Sequence, residues 1–269
     1  MVVLGLAFVG SVAMLIRQNI HYKQGEEVYA EAETLVELPD FSQLPAPEPS
    51  IPEETPEESE PAEEQPVYID PYADALRNMD FTALREVNSD VLGWIVIPGT
   101  PISYPLLQGT DNDYYLKHTW KKASSVVGSI YLEHQNSGDL SDFNTVVYGH
   151  RMNNGSMFAS LKYFKDQSYW KQHPYVYITD DRGTRTYEIF AAYEAPVDGD
   201  TYYLSFPEEE DRQEFIDYCL EQSAINTGIV PQTYDHILTM STCTGRGYAT
   251  RWVVQAVLRG EAPAEEAAV

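Results

Sequence analysis

The sequence predicts a mainly β domain, built as a barrel or a sandwich, with an acidic segment before it. Eight short stretches rich in β-branched and aromatic residues follow one another between residues 68 and 259, separated by Gly, Pro, Asn and Asp. Hydrophobic residues make up 43% of the 269 residues, which is enough for a core. This length leaves room for one such domain with appendages.

Composition limits the partners and the cofactors. A formal charge of −25 argues against a nucleic-acid partner, although residues 1–70 alone hold fifteen acidic and two basic residues. The two cysteines, Cys219 and Cys243, are too few for a disulfide framework or a four-ligand zinc site. No metal-binding, Walker or dinucleotide-binding pattern occurs, so we expect no metal and no cofactor.

An apolar run at residues 2–16 ends at Arg17, and its length lies between that of a secretory signal and a full membrane span of ~20 residues. No small-x-small cleavage site follows directly, so we expect an uncleaved single membrane anchor with its juxtamembrane part over residues 1–25. A cleaved signal and a buried core helix are the alternatives. Arg17 and Lys23 lie after the run rather than before it, which the positive-inside rule disfavours for an external domain.

Two further segments flank the predicted domain. Residues 26–66 are dominated by Pro and Glu, and this composition predicts an extended acidic linker. Residues 261–269 predict a disordered tail. The domain itself is therefore expected over residues 67–260.

Within the domain, the pattern predicts helices at two places. Leu76, Met79 and Leu84 have helical spacing, which predicts one or two helices over residues 71–88. Residues 207–222 begin with acids and carry Phe215 and Cys219 on one face, which predicts an amphipathic helix between the sixth and seventh strands. The strands are predicted at 92–97, 102–107, 129–132, 145–148, 175–179, 185–193, 236–242 and 251–258.

Cys243 is the candidate nucleophile because it ends a predicted strand and precedes a Gly-rich turn. A hairpin to the next strand would bring the Arg251 guanidinium toward the sulfur. A fixed cation favours the thiolate, and the same group can donate to an oxyanion. A lone cysteine beside a strand is more often a buried small hydrophobe, so the residue types alone leave both interpretations open.

His150 is the candidate partner of Cys243, since it also follows the end of a predicted strand, at residues 145–148. A nucleophilic cysteine needs a nearby base and later a proton donor for the leaving amine, and one histidine can serve as both. The other five histidines lie in turns, loops, a strand start or the N-terminal segment.

The T-M-S-T-C segment at 239–243, with Arg251 downstream and Y-G-H at 148–150 upstream, resembles the sortases, whose signature is T-L-x-T-C with such an Arg and His. Stretches at 91–100, 104–109, 111–116 and 148–158 are similar to class B members, and the match spans 81–258 in the family's order. The resemblance implies an eight-stranded sortase-type β-barrel with N-terminal helices and a long helix inserted between late strands.

The resemblance also implies a membrane-anchored, extracellular cysteine transpeptidase of a Gram-positive-type bacterium. Cys243 would attack a Thr-Gly-like bond in the C-terminal sorting signal of a secreted protein. An amine of peptidoglycan or of its lipid-linked precursor would then resolve the acyl-enzyme. His150 would be the acid/base and Arg251 the oxyanion and substrate clamp. The groove positions of class B correspond to Ser241, Thr242, Tyr148, Asn112 and Leu116.

The sequence departs from the family pattern at Met240, where Leu is usual, and at Thr244, where some class B members carry an acid. Three alternatives to wall anchoring stay open. The chain could polymerise pilins through a lysine amine, it could be a cysteine hydrolase that uses water as acceptor, or it could be a non-enzymatic binding barrel in which Cys243 is inert.

Overall fold

The structure is a computed structural model that describes residues 2–47 and 70–265. Its centre is a closed barrel with the strand order β1-β2-β3-β4-β7-β8-β6-β5. The strands are β1 (Val91–Val96), β2 (Ser103–Leu107), β3 (Ile130–Leu132), β4 (Asn144–Tyr148), β5 (Tyr175–Asp180), β6 (Gly183–Pro196), β7 (Ile237–Cys243) and β8 (Thr250–Pro263). All eight predicted strands are present, and the barrel, not the sandwich, is the architecture.

Two parallel pairings lie among antiparallel ones, β2 with β3 and β4 with β7. Asn144 lies opposite Ile237 and Tyr148 opposite Ser241, so β4 and β7 run side by side and end at the same rim. Neighbouring β1 and β5 approach closely at Gly93, where a Cβ would lie 2.0 Å from the Thr179 carbonyl oxygen. Only glycine allows this approach.

Five α-helices occur in the described ranges: α1 (Val2–Thr34), α2 (Pro71–Leu76), α3 (Thr82–Val87), α4 (Gln167–Gln172) and α5 (Glu209–Gln222). The helices predicted at 71–88 and 207–222 are confirmed as α2, α3 and α5. Glu208 and Asp211 form a reciprocal capping box at the start of α5. The 3₁₀-helix Phe158–Lys165 and α4 were not predicted, because their short apolar pattern does not follow the α-helical period.

The acidic linker prediction is wrong at its start, because residues 26–34 belong to α1. Gly25, Tyr29, Ala32 and Val36 are buried and recur every three or four residues, with glutamates on the other side. This stripe packs α1 and the turn after it against the barrel, and Trp120 Nε1 donates to the Val28 carbonyl at 2.8 Å. Most of the remaining predicted linker, residues 48–66, lies outside the described residues.

The predicted single N-terminal anchor, and the cell-membrane location based on it, is wrong. Over the described parts of the chain, no helix is both long enough and apolar enough to cross a membrane. The physical reason is that the apolar run at 2–16 is shorter than the ~20 residues a span requires. Beyond Arg17, α1 continues through charged residues and docks onto the barrel.

The predicted tail is also shorter than expected. Strand β8 continues to Pro263, where it pairs with Gly183 at the start of β6. Residues 261–263 therefore belong to the barrel, because β6 supplies a long antiparallel partner. Residues 266–269 lie outside the described range.

Apolar residues form two clusters on opposite sides of the sheet. The larger fills the barrel and the space beneath α1, α2 and α3. The smaller lies between α5 and the outer faces of β6, β7 and β8, and includes Phe190, Phe215, Ile216 and Cys219. The inserted helix therefore covers one side of the barrel and leaves the rim at the ends of β4 and β7 open.

Candidate active site

Cys243 and Arg251 face each other across the β7–β8 hairpin. Cys243 is the last residue of β7, and its partner in the antiparallel register is Arg251. Cys243 is half-buried and both cysteines of the chain are free, so no disulfide blocks the thiol. The predicted hairpin geometry is confirmed.

The parallel pairing of β4 with β7 brings His150 to the same rim. The Gly149 N–H donates to the Ser241 carbonyl oxygen at 3.1 Å, which continues the pairing one residue beyond β4. His150 follows directly. Two residues that lie 93 positions apart in sequence thus end neighbouring strands, because parallel strands end on the same side of a sheet.

A cavity of about 300 Å³ opens at this rim, and all eight predicted site residues line it. They are Asn112, Leu116, Tyr148, His150, Ser241, Thr242, Cys243 and Arg251. Sequence reasoning missed four further lining residues, which are Tyr131, Gly149, Val197 and Tyr202. Gly149 lies inside the Y-G-H motif but was not assigned to the site. The sequence around Tyr131, Val197 and Tyr202 does not distinguish them from ordinary barrel residues.

Arg251 provides an unneutralised positive charge in the cavity. Its Nη1 donates to the carbonyl oxygens of Tyr248 at 3.0 Å and Thr250 at 3.1 Å, which holds the guanidinium at the base of the β7–β8 turn. It has no ion pair with any residue in the described ranges. The remaining N–H groups can therefore donate to an anionic oxygen beside Cys243.

The His150 ring is oriented by a backbone carbonyl. His150 Nε2 lies 2.7 Å from the Leu116 carbonyl oxygen. Because a carbonyl only accepts, Nε2 must carry a proton. In the neutral ring Nδ1 is then the basic nitrogen and is available to accept a proton.

Ser241 and Thr242 differ in how their hydroxyls are bonded. Tyr202 and Ser241 share a hydrogen bond of 2.8 Å between their hydroxyls, and burial raises the pKa of Tyr202, which keeps it neutral. Thr242 is buried, and its Oγ1 has no hydrogen-bond partner within the described part of the chain. A buried hydroxyl without a hydrogen-bond partner is energetically costly.

A buried carboxylate holds the wall that carries Asn112 and Tyr148. Glu133 is 4% exposed, and its Oε2 accepts from Asn112 Nδ2 at 2.5 Å and from the Tyr148 hydroxyl at 3.0 Å. His134 contributes its backbone N–H to Asn112 Oδ1 at 3.0 Å. Burial and the Glu133 charge raise the pKa of Tyr148, so the phenol remains a donor. Sequence reasoning missed Glu133, which no motif marks.

Arg151 joins the two loops that follow the catalytic strands. Its Nη1 donates to the Thr244 carbonyl oxygen, one residue after Cys243. Gly245 has a φ of +78°, and a Cβ there would lie 1.9 Å from Arg151 Nη1. The Gly-rich turn after Cys243 is therefore needed both for its backbone conformation and for the space that Arg151 occupies.

These residues define a class of protein. The barrel rim combines a half-buried thiol, an imidazole with an oriented basic nitrogen and a guanidinium that has N–H donors not engaged by the described part of the protein. This set of groups is chemically suited to acyl transfer through a cysteine nucleophile. No group of three or more metal-ligating side chains occurs in residues 2–47 and 70–265.

The comparisons with known proteins agree with this class. The Sortase domain family model matches residues 95–259. Sortase B of Listeria monocytogenes is 37% identical over 179 residues, which cover 65% of this chain and 72% of that protein. The chain therefore belongs to the sortase family and is a cysteine transpeptidase of the sortase B type.

Solved structures of sortase B share the fold. A Staphylococcus aureus sortase B–substrate complex has a TM-score of 0.63 and 30% identity, and the match covers 66% of this chain and 84% of that one. A sortase B complexed with triglycine also has a TM-score of 0.63 and 30% identity, covering 66% of this chain and 85% of that one. The sortase-type barrel implied by the sequence motifs is confirmed.

Proposed function

We propose that this transpeptidase cleaves the C-terminal sorting signal of secreted proteins at a Thr-Gly-like bond and joins the new carboxyl end to an amine of peptidoglycan or its lipid-linked precursor. The observation that carries the proposal is the meeting of Cys243, His150 and Arg251 in one cavity. Support for the two substrates comes from relatives, since sortase B has been solved with a substrate and with triglycine, which presents a primary amine.

In the first half-reaction, the Cys243 thiolate attacks the threonine carbonyl carbon and the oxygen takes the negative charge. Arg251 donates to that oxygen. The C–N bond then breaks, and protonated His150 gives its Nδ1 proton to the leaving amine. The products of this step are a thioester on Cys243 and the released C-terminal peptide.

In the second half-reaction, the acceptor amine attacks the thioester carbonyl. His150, now neutral, takes the amine proton on Nδ1, and the C–S bond breaks to return the thiolate. The same histidine therefore acts as acid and then as base, and the cycle consumes no cofactor.

The substrate wall would be formed by the residues around the cavity. Thr242 lines the cavity directly before Cys243 in the chain and would contribute to the wall along which the substrate lies. Asn112 and Tyr148 already bond to Glu133, so their role is to shape a polar wall held in one orientation. Leu116 contributes an apolar side chain and the carbonyl that orients His150.

The test uses the full chain and peptides with an N-P-x-T sorting motif, with and without triglycine or a diamino acid peptide as acceptor. We expect a thioester adduct on the tryptic peptide that contains Cys243, and an amide product that replaces the hydrolysed product as the amine concentration rises. A peptide with the motif scrambled is the matched control and should remain intact.

Mass spectrometry of the products separates the alternatives. Hydrolysis at a rate and product ratio indifferent to every amine would support a cysteine hydrolase. A product formed only with a lysine side-chain amine would support pilin polymerisation. Intact peptide together with an unmodified Cys243 would contradict the assignment of the site residues.

A further inference from the structure

The C-terminal half of α1 contacts the backbone at residues 128–129, which lies next to the cavity residues Leu116 and His150. Tyr29 is buried, and its hydroxyl donates to the Gly128 carbonyl oxygen at 2.5 Å and lies 3.1 Å from Ser129 Oγ. The Ser129 N–H in turn donates to the Tyr115 carbonyl at 2.9 Å, in the loop that also carries Leu116. The helix is thus connected to this loop through two residues.

Gly128 is the spacer between Tyr29 and the His150 ring. Its φ is +61°, and a Cβ built on it would lie 2.8 Å from the Leu116 carbonyl oxygen and 2.9 Å from His150 Cδ2. The space beside the Gly128 backbone is therefore closed by both the ring and the carbonyl that accepts the ring proton. A shift of this backbone would displace the acceptor that orients His150.

A second route joins α1 to the segment after His150. Asn154 Nδ2 donates to Glu26 Oε1 at 2.8 Å. The Tyr29 ring packs edge-on against Tyr104, with 5.2 Å between the ring centroids. The Tyr104 hydroxyl accepts from the Met157 N–H at 2.8 Å. The helix is consequently connected both to the 128–129 segment beside His150 and to the 154–157 segment that follows His150.

We propose that α1 is a part of the active-site structure and that Tyr29 is a positioning residue for His150. By holding Gly128 against the Leu116 carbonyl, Tyr29 keeps the proton of His150 on Nε2 and leaves Nδ1 as the base. Tyr29 does not touch the reacting atoms. Burial raises the pKa of Tyr29, so its hydroxyl remains a donor across the working range of pH.

The test compares the full chain with its Tyr29→Phe variant, which keeps the ring and removes only the hydroxyl. We expect kcat for the sorting peptide to fall about 5- to 10-fold while KM changes less than about twofold, because a misplaced base affects the chemical step. Glu31→Gln is the matched control. It removes the α1 ion pair with Lys121 without contacting Gly128, and should keep the wild-type kcat.

A second readout does not depend on activity. In ¹⁵N-labelled protein, long-range ¹H–¹⁵N spectra recorded over a series of pH values report which ring nitrogen of His150 is protonated in the neutral form. We expect a proton on Nε2 of His150 in the wild type and in Glu31→Gln, and tautomer averaging in Tyr29→Phe.

The kinetic measurement requires the proposed function to be correct, whereas the spectrum does not. A failure of the proposed function can therefore be distinguished from a failure of the proposal for Tyr29. If no peptide is cleaved by the wild type, the spectrum alone decides the role of Tyr29. An unchanged His150 spectrum and kcat in a folded Tyr29→Phe protein would overturn the proposal, even if its melting temperature fell, because α1 would then serve packing alone.

Discussion

The two cysteines of this chain occupy opposite settings in one barrel. Cys243 ends β7 at the open rim, half-buried, opposite Arg251 and in the same cavity as His150. Cys219 is fully buried between α5 and the sheet, next to Phe215 and Ile216. Burial raises the pKa of the Cys219 thiol to about 12. The difference shows that the place of a thiol in the fold, more than its residue type, decides whether it can react.

The surroundings of Cys219 explain why it stays a packing residue. The Tyr193 hydroxyl donates to the Cys219 Sγ at 3.5 Å, and this phenol is itself buried, with its pKa raised by burial and by the cysteine. Cys219 otherwise lies in a cluster of buried apolar residues, which do not stabilise a thiolate. Cys243 has Arg251 directly across the hairpin instead.

The largest expected effect is a loss of activity, and it should occur when Cys243 is replaced but not when Cys219 is replaced. Cys243→Ala should lower kcat by roughly 10⁴-fold or more, because no other group in the cavity can form the thioester. Cys219→Ala should keep kcat within about twofold of the wild type once folded protein is counted. Steady-state kinetics with the sorting peptide measure both. Residual activity in Cys243→Ala comparable to the wild type would remove Cys243 as nucleophile.

The second prediction tests the cation beside Cys243. Arg251→Ala should lower kcat/KM by about 10² to 10³, the usual cost of losing one oxyanion donor. Arg251→Lys should recover only part of this loss, because an ammonium lacks the planar fork of donors. The measurement is kcat/KM for the same peptide. Full recovery by lysine would show that charge alone is sufficient.

The third prediction compares the thiols directly. Iodoacetamide should alkylate Cys243 at least about 10²-fold faster than Cys219 in the folded protein, because only the thiol at the rim is accessible. Peptide mapping over time gives both rates. The same reaction in denaturant is the control, since the two rates should then converge. Equal rates in the folded state would mean that the α5 side of the barrel opens readily.

The fourth prediction concerns stability, for which Cys219 should matter more than Cys243. Cys219→Ala should lower the free energy of unfolding by about 1 to 2 kcal/mol, because it leaves a small cavity and removes a partner of Tyr193. Cys243→Ala should change it by less than about 0.5 kcal/mol. Urea unfolding followed by fluorescence measures both. A larger loss in the Cys243 variant would assign a structural role to the rim thiol.

The fifth prediction concerns the pH dependence of stability. The Cys219 pKa is raised to about 12, whereas an unfolded cysteine titrates near ~8.5. The unfolded chain therefore loses its proton first, so this contribution is intact below ~8.5 and decreases as pH rises toward about 12. Unfolding free energies measured between these pH values should decline less steeply in Cys219→Ala. Identical slopes would show that Cys219 does not contribute.

Much of the barrel could be predicted from the sequence. Local β-branched runs and turn residues placed all eight strands, and the capping acids marked α5. The stripe at Tyr29, Ala32 and Val36 was missed because intervening glutamates resemble linker composition. The anchor prediction failed because an apolar run of intermediate length does not specify its environment.

The sequence by itself determined the strands, the inserted helix and the hairpin that sets Cys243 opposite Arg251, because these depend on short-range patterning and turn chemistry. Only the tertiary structure decided that β4 lies parallel to β7, that Glu133 binds Asn112 and Tyr148, and that Tyr29 reaches Gly128. Those contacts join segments far apart in the chain. They arise from the closure of the barrel and the burial of its polar groups, which no local pattern records.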